Sequence, residues 1–132
     1  MSVAFVNGCF DVLHIGHIEL FRYAKAQAEK VFVAIDSDAR VRSMKGEKRP
    51  FNNQHDRKMM LETIKFIDKV FIFDTEDELI SLIKTLNPDI MVVGSDWKNK
   101  KVVGSEYAKE LQFFQRIDKY STTKILQSSP HR

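Results

Sequence analysis

The chain of 132 residues predicts an α/β fold: one domain, a doubly wound five-stranded parallel sheet, and helices on both faces. Three observations predict it. Short apolar, β-branched runs alternate with stretches whose apolar residues recur every three or four positions, the signature of strands joined by crossover helices. Glycine-bearing turns follow the first and fourth of these runs, at the sheet edge where open parallel sheets bind ligands. No repeat, low-complexity tract or linker divides the chain, and its length suits a single core.

The elements follow in order. Val3-Ala4-Phe5-Val6 reads as a buried strand, and Ile18, Leu20, Phe21 and Ala24 recur at helical spacing behind it. Residues 31–35 form a second strand, followed by a loop over 36–51. A helix is expected over 54–67, with Asn53 and Asp56 in capping positions and Met60, Leu61, Ile64 and Ile67 as its inward stripe. Residues 70–73 are a third strand, 78–86 a helix closed by Asn87-Pro88, and 90–93 a fourth strand ending at Gly94. From Tyr107 a helix is expected to run into a short fifth strand with Phe113 and Phe114 buried. Ser121 or a neighbour caps a closing helix with Ile125 and Leu126 inward, and 127–132 form a frayed tail. Parallel strands joined this way require crossovers, which are right-handed.

Composition narrows the function classes. A 43% hydrophobic and 30% charged chain is ordinary for a soluble globular protein. No apolar run approaches membrane-spanning length, and the amino terminus lacks the zones of a secretory signal. The single cysteine cannot form an internal disulfide, which points to a cytoplasmic setting. Net charge is +3, and the cations form no dense patch interleaved with aromatics, so nucleic acid is not the expected partner. Their main concentration, Arg40, Arg42, Lys45, Lys48 and Arg49, falls in the expected loop. It suits either phosphates or plain solvation.

The most informative stretch is Gly8-Cys9-Phe10-Asp11-Val12-Leu13-His14-Ile15-Gly16-His17. Gly16 permits close approach of the backbone to an anion, and the helix beginning there aims N–H groups and a positive dipole end at it. Two imidazoles beside that point can donate to phosphate oxygens as their charge grows. A helix cap, turn glycines, or a zinc site drawing on Cys9 and Asp11 are the competing readings, and zinc would need more ligands at tight spacing. Arg57 stands in the first turn of its helix, where a cation opposes the dipole unless an anion lies nearby. A ligand role or an ion pair with Asp56 or Asp74 accounts for it. Beyond the fourth strand, Asp96 can accept from a ribose or base or reach a magnesium ion through water. Trp97 stacks on a ligand or covers the core edge.

The first motif resembles the signature of the cytidylyltransferase-like nucleotidyltransferases, whose domain is Rossmann-like. Ser121-Thr122-Thr123-Lys124 resembles their carboxyl-terminal Ser-Thr-Thr motif. The resemblance spans residues 3 to 126 and implies transfer of a nucleoside monophosphate to a phosphorylated sugar or polyol with release of pyrophosphate. By resemblance the catalytic set is His14, His17, Lys45, Arg57, Ser121 and Thr122. The nucleotide contacts are Gly8, Cys9, Phe10, Asp11, Gly16, Gly94, Asp96, Arg116 and Thr123. Lys48, Arg49 and Trp97 meet the acceptor. Mg²⁺ travels with the triphosphate, with Asp11 as its possible protein ligand, and the enzymes are homodimers.

Features of two subgroups coexist. Gly8-Cys9-Phe10-Asp11, the segment from Lys45 to Pro50 and Val103-Gly104-Ser105 resemble heptose-phosphate adenylyltransferases. His17-Ile18-Glu19-Leu20, Ser95-Asp96-Trp97 and Ser121-Thr122-Thr123 resemble glycerol-3-phosphate cytidylyltransferase. Ile117 and Lys119 replace a threonine and a glycine of the cytidylyltransferase motif, which tilts the expectation to ATP and a sugar phosphate. CTP with glycerol 3-phosphate is the alternative. A nucleotide-binding module without turnover is a reading of another class.

Overall fold

The computed structural model describes residues 1–115. Arg116, the Ser121-Thr122-Thr123 segment, the expected closing helix and the tail lie outside the described residues. Five strands, β1 (Val3–Gly8), β2 (Lys30–Asp36), β3 (Lys69–Phe73), β4 (Ile90–Gly94) and β5 (Glu110–Phe114), build one sheet. Every adjacent pair is parallel, and the order is β3-β2-β1-β4-β5. The order reverses direction between β1 and β4, so a crevice opens at their carboxyl ends.

Side-chain alternation along the strands produces two cores. Ala4, Val6, Val31, Val33 and Ile35 face one side and pack with Phe21 and Ala24 of α1 (Ile15–Gln27). Leu61 of α3 (Gln54–Glu62) joins the same cluster. Phe5, Ala34, Phe73 and Met91 face the other side with Leu79 and Ile83 of α4 (Glu76–Leu86). Each fully buried Val, Leu, Ile or Phe contributes about 1.5–3 kcal/mol of transfer free energy. Helices therefore flank both faces, as the strand–helix alternation predicts. Among the described residues no helix is long and apolar enough to cross a membrane.

Three local expectations are corrected. The loop expected over 36–51 contains α2 (Asp38–Lys45), which carries Arg40, Arg42 and Lys45. Its only buried residue is Val41, so it has no apolar stripe to betray it. Its termini are nonetheless marked: the Ser37 hydroxyl accepts from the Arg40 N–H, Asp38 opens the first turn, and Gly46 (φ 103°) closes it.

α3 ends at Glu62 rather than 67, because the Thr63 N–H and hydroxyl both turn back to the Met60 carbonyl. Its inward pair is Arg57 and Leu61, four residues apart on one face, and Met60 stands 38% exposed. The helix expected from Tyr107 is a single 3-10 turn at Ser105–Tyr107, entered through Gly104 in left-handed backbone (φ 82°). Phe113 and Phe114 lie on β5 and are half-buried. The Tyr23 hydroxyl of α1 donates to the Gln112 side chain at 2.6 Å, tying β5 to the first helix.

Candidate active site

The turn between β1 and α1 is a reciprocal cap made of imidazoles. His14 is the N-cap of α1 in extended backbone (φ −144°, ψ 176°). Its Nδ1 accepts from the Gly16 N–H at 3.0 Å, and His17 Nδ1 accepts from the His14 N–H at 3.3 Å. Two amide donors at the helix start are thereby satisfied, as in a capping box. The chemical consequence is tautomeric. A neutral ring that accepts at Nδ1 carries its proton on Nε2, so the cap selects the Nε2–H tautomer of each neutral imidazole. The two rings stack with centroids 3.9 Å apart and planes 28° apart.

Phe10 braces this pair. It sits in left-handed backbone (φ 50°), a conformation costing about 1–3 kcal/mol for a residue with a side chain. Packing compensates: its ring meets His17 edge-on at 5.3 Å and Phe21 at 5.1 Å. A Cβ on Gly8 would come within 3.1 Å of the Phe10 ring, so the glycine makes room for the brace.

A cavity of about 680 Å³ opens above the carboxyl ends of β1 and β4. From the expected nucleotide set, Gly8, Cys9, Phe10, Asp11, Gly16, Gly94 and Asp96 line it. His17, Lys45, Arg49 and Trp97 line it too. Trp97 is 46% exposed there. His14 stands behind His17, and Lys48 is exposed on the loop after α2 without reaching the wall. Arg116, Ser121, Thr122 and Thr123 lie outside the described residues.

Arg57 is elsewhere than expected. It is fully buried and absent from the cavity wall. It donates from Nε to the Asn52 carbonyl (2.9 Å), from Nη1 to the Cys9 (3.0 Å) and Asp36 (2.8 Å) carbonyls, and from Nη2 to the Asp38 carboxylate (2.8 Å). The ion-pair partner is therefore Asp38, not Asp56 or Asp74. One guanidinium ties the ends of β1 and β2 to the start of α2 and to the segment before α3.

Asp11 makes a second tie. Its carboxylate accepts from the Phe51 N–H (2.8 Å), the Asn52 N–H (2.9 Å) and Arg49 Nε (3.1 Å). Burial pushes its pKa up, but the Asn52 and Phe51 amides and Arg49 together outweigh that and hold it below the ordinary carboxylate value. With both oxygens engaged, Asp11 clamps the 49–52 segment. Among the described residues no three His, Cys, Asp or Glu side chains gather as a metal site. Cys9 also lines the cavity, and burial pushes its thiol up against the opposing pull of Lys45 and Arg57.

Sequence reasoning missed Asp36 and Arg40 as wall residues. The signal that would have found Arg40 is the Ser37–Gly46 pair of helix bounds, which places it one turn into α2.

The family model for Cytidylyltransferase-like domains matches residues 5–128. The chain belongs to the cytidylyltransferase-like family. It is 47% identical over 125 residues to the bifunctional protein HldE of Campylobacter fetus subsp. fetus, covering 95% of this chain and 27% of that protein. The HldE of Helicobacter pylori strain Shi470 is 42% identical over 126 residues, with 96% and 27% covered. The chain thus spans 27% of the length of these curated relatives. Among solved structures, a lipopolysaccharide core biosynthesis protein from Thermoplasma volcanium superposes with a TM-score of 0.73 at 20% identity, covering 89% of this chain and 99% of that one. The pantothenate synthetase of Thermus thermophilus gives 0.62 at 14%, covering 89% and 56%. These two likenesses establish that the cytidylyltransferase-like chain shares their fold.

Proposed function

We propose that the chain is a nucleotidyltransferase that moves AMP from ATP to a phosphorylated sugar of the heptose 1-phosphate type, releasing pyrophosphate and giving an ADP-sugar. The carrying observation is the imidazole cap at the amino end of α1, where the Nδ1 atoms of His14 and His17 accept backbone N–H groups beside a cavity at the β1/β4 switch point. The identity to HldE over 95% of the chain supports the adenylyl and sugar-phosphate side.

A phosphate oxygen of the acceptor attacks the α-phosphorus in line. The new O–P bond forms as the bond to the β-phosphate breaks, and its electron pair leaves with pyrophosphate. The acceptor oxygen is already ionised near neutral pH, so positioning and charge stabilisation supply the catalysis rather than a strong base. His14 and His17 donate to the α-phosphate and the departing oxygen. Lys45 is a mobile charge that follows the phosphates, Arg49 meets the acceptor from the wall, and Lys48 swings in from the exposed loop to meet it. Gly8, Gly16 and Gly94 admit the nucleotide closely, Asp96 meets its ribose or base, and Trp97 meets the acceptor. By resemblance Arg116, Ser121, Thr122 and Thr123 complete the nucleotide contacts. Arg57 acts as a positioning residue behind the cavity wall. Mg²⁺ enters as part of the triphosphate substrate. The working unit is a cytoplasmic homodimer, which sedimentation at working concentration tests.

The deciding experiment crosses ATP and CTP with heptose 1-phosphate and glycerol 3-phosphate and measures pyrophosphate release. ATP with the sugar phosphate is expected to dominate, since paired polar groups built for one base reject another strongly. Preference for CTP with glycerol 3-phosphate would install the cytidylyltransferase reading, and no turnover with any pair the binding module.

A further inference from the structure

Two arginines reach the edge of this cavity with opposite fates. Arg57 spends its fork on protein acceptors, as described above. Arg40 makes one side-chain hydrogen bond among the described residues, from Nε to Asp36 Oδ1 at 2.7 Å. Its Nη1 and Nη2 groups have no protein acceptor there, and Asp36 Oδ2 accepts nothing there. Both residues line the cavity, and their side chains are only 24% and 10% exposed.

The pair is held rigidly. The Arg40 guanidinium carbon lies 5.2 Å from the centroid of the Phe73 ring, which also lines the cavity. The Asp36 carbonyl is fixed by Arg57, and the Ser37 N–H donates to the Phe73 carbonyl at 2.9 Å. Ser37 Oγ donates to Asp74 at 2.6 Å. α2 is thus fastened to the end of β3.

The position is separate from the imidazoles. Asp36 and Phe73 end β2 and β3, on the side of β1 away from β4. Strands lie about 4.8 Å apart, so the group sits roughly one to two strand spacings from the β1 turn. That is the span of the body of an acceptor whose phosphate lies at His17.

Resting on the nucleotidyltransferase reading, we propose that Asp36 and Arg40 read the hydroxyl groups of the acceptor's polyol body and so determine its specificity. A carboxylate oxygen that accepts and a guanidinium edge that donates, side by side over an aromatic ring, match vicinal hydroxyls, which both donate and accept. A second phosphate is the poorer occupant, because the carboxylate beside Arg40 cancels its charge and repels a dianion.

The sign of one substitution separates the two. Binding of heptose 1-phosphate, glycerol 3-phosphate and heptose 1,7-bisphosphate is measured by calorimetry on wild type, Asp36→Ala, Asp36→Asn and Arg40→Gln, with thermal melts to confirm folding. The preference of wild type for heptose 1-phosphate over glycerol 3-phosphate is expected to shrink roughly tenfold or more in Asp36→Ala and in Arg40→Gln. Asp36→Asn is expected to retain part of it. Tighter bisphosphate binding in Asp36→Ala than in wild type would overturn the proposal in favour of an anion site. An unchanged preference ratio would overturn it outright. Pyrophosphate release by wild type, measured alongside, reports separately on the reaction itself: its absence refutes the transferase reading, while the binding ratios still decide the role of the pair.

Discussion

Two charged regions meet at the end of β1, and they differ in what their charges face. Arg57, buried behind the cavity, and Asp11, at its edge, are engaged by backbone carbonyls and amides and by their charged partners Asp38 and Arg49. Along its wall, His17, Lys45 and Arg40 turn toward the open volume. The lower region holds the loop before α3 and the start of α2 in register with the sheet. The wall holds the groups assigned to ligands under the proposed function. The lesson is that a cation's role follows from how many of its donors the protein has already used, not from its place in a motif. Substitutions should therefore separate the regions: the wall should lose chemistry while keeping its fold, and the underside should lose stability.

The largest effect is expected at the imidazoles. His14→Ala and His17→Ala should each lower the rate of pyrophosphate release by about two to three orders of magnitude, the scale of a lost oxyanion donor. Unfolding free energy should fall in either variant by only about 1 kcal/mol, the scale of a lost helix cap. Near-normal turnover in both variants would break the division between wall and underside.

The next effect sharpens it. Arg57→Met leaves the Asp38 carboxylate and three carbonyls without their donor, and should cost about 3–5 kcal/mol in urea unfolding. Arg40→Met removes a partly exposed ion pair and should cost roughly 1 kcal/mol or less. Equal losses for the two arginines would show that Arg40 is also a structural tie.

The smallest effect concerns acid. The folded-state pKa of Asp11 lies below its ordinary value, so its contribution is complete above the unfolded pKa and is lost as pH falls through the folded one. Stability should therefore decline below about pH 4, the unfolded aspartate value. Asp68, held down against burial by Lys25 and the Val31 amide, and Asp89, held down by the Val3 amide and Lys109, add to the same decline. Urea midpoints of wild type and Asp11→Asn between pH 3 and 7 check this. An acid decline as steep in the variant as in wild type would remove Asp11 from the account.

Much of the fold was legible because its signals are local. The runs at 3–6, 31–35, 70–73 and 90–93 all lie inside observed strands, since alternating burial leaves an apolar trace in the chain itself. α2 was not legible from periodicity, because a helix that buries only Val41 carries no stripe. The expected helix end at 67 failed for the reverse reason. Ile64 and Ile67 keep helical spacing while the backbone turns through Thr63, and both still pack on the core.

The sequence by itself determined the fold class, the order of the strands along the chain, and the imidazole turn, whose capping partners are two and three residues apart. The tertiary structure alone decided which charges are available. Arg57 draws its acceptors from residues 5, 19, 21 and 48 positions away. Arg49 and the Phe51 and Asn52 amides reach Asp11 across 38, 40 and 41 positions. Phe73 lies under Arg40 because β3 pairs with β2. Hydrophobic periodicity is written within one element, whereas desolvation and hydrogen-bond saturation sum over segments that only folding brings together.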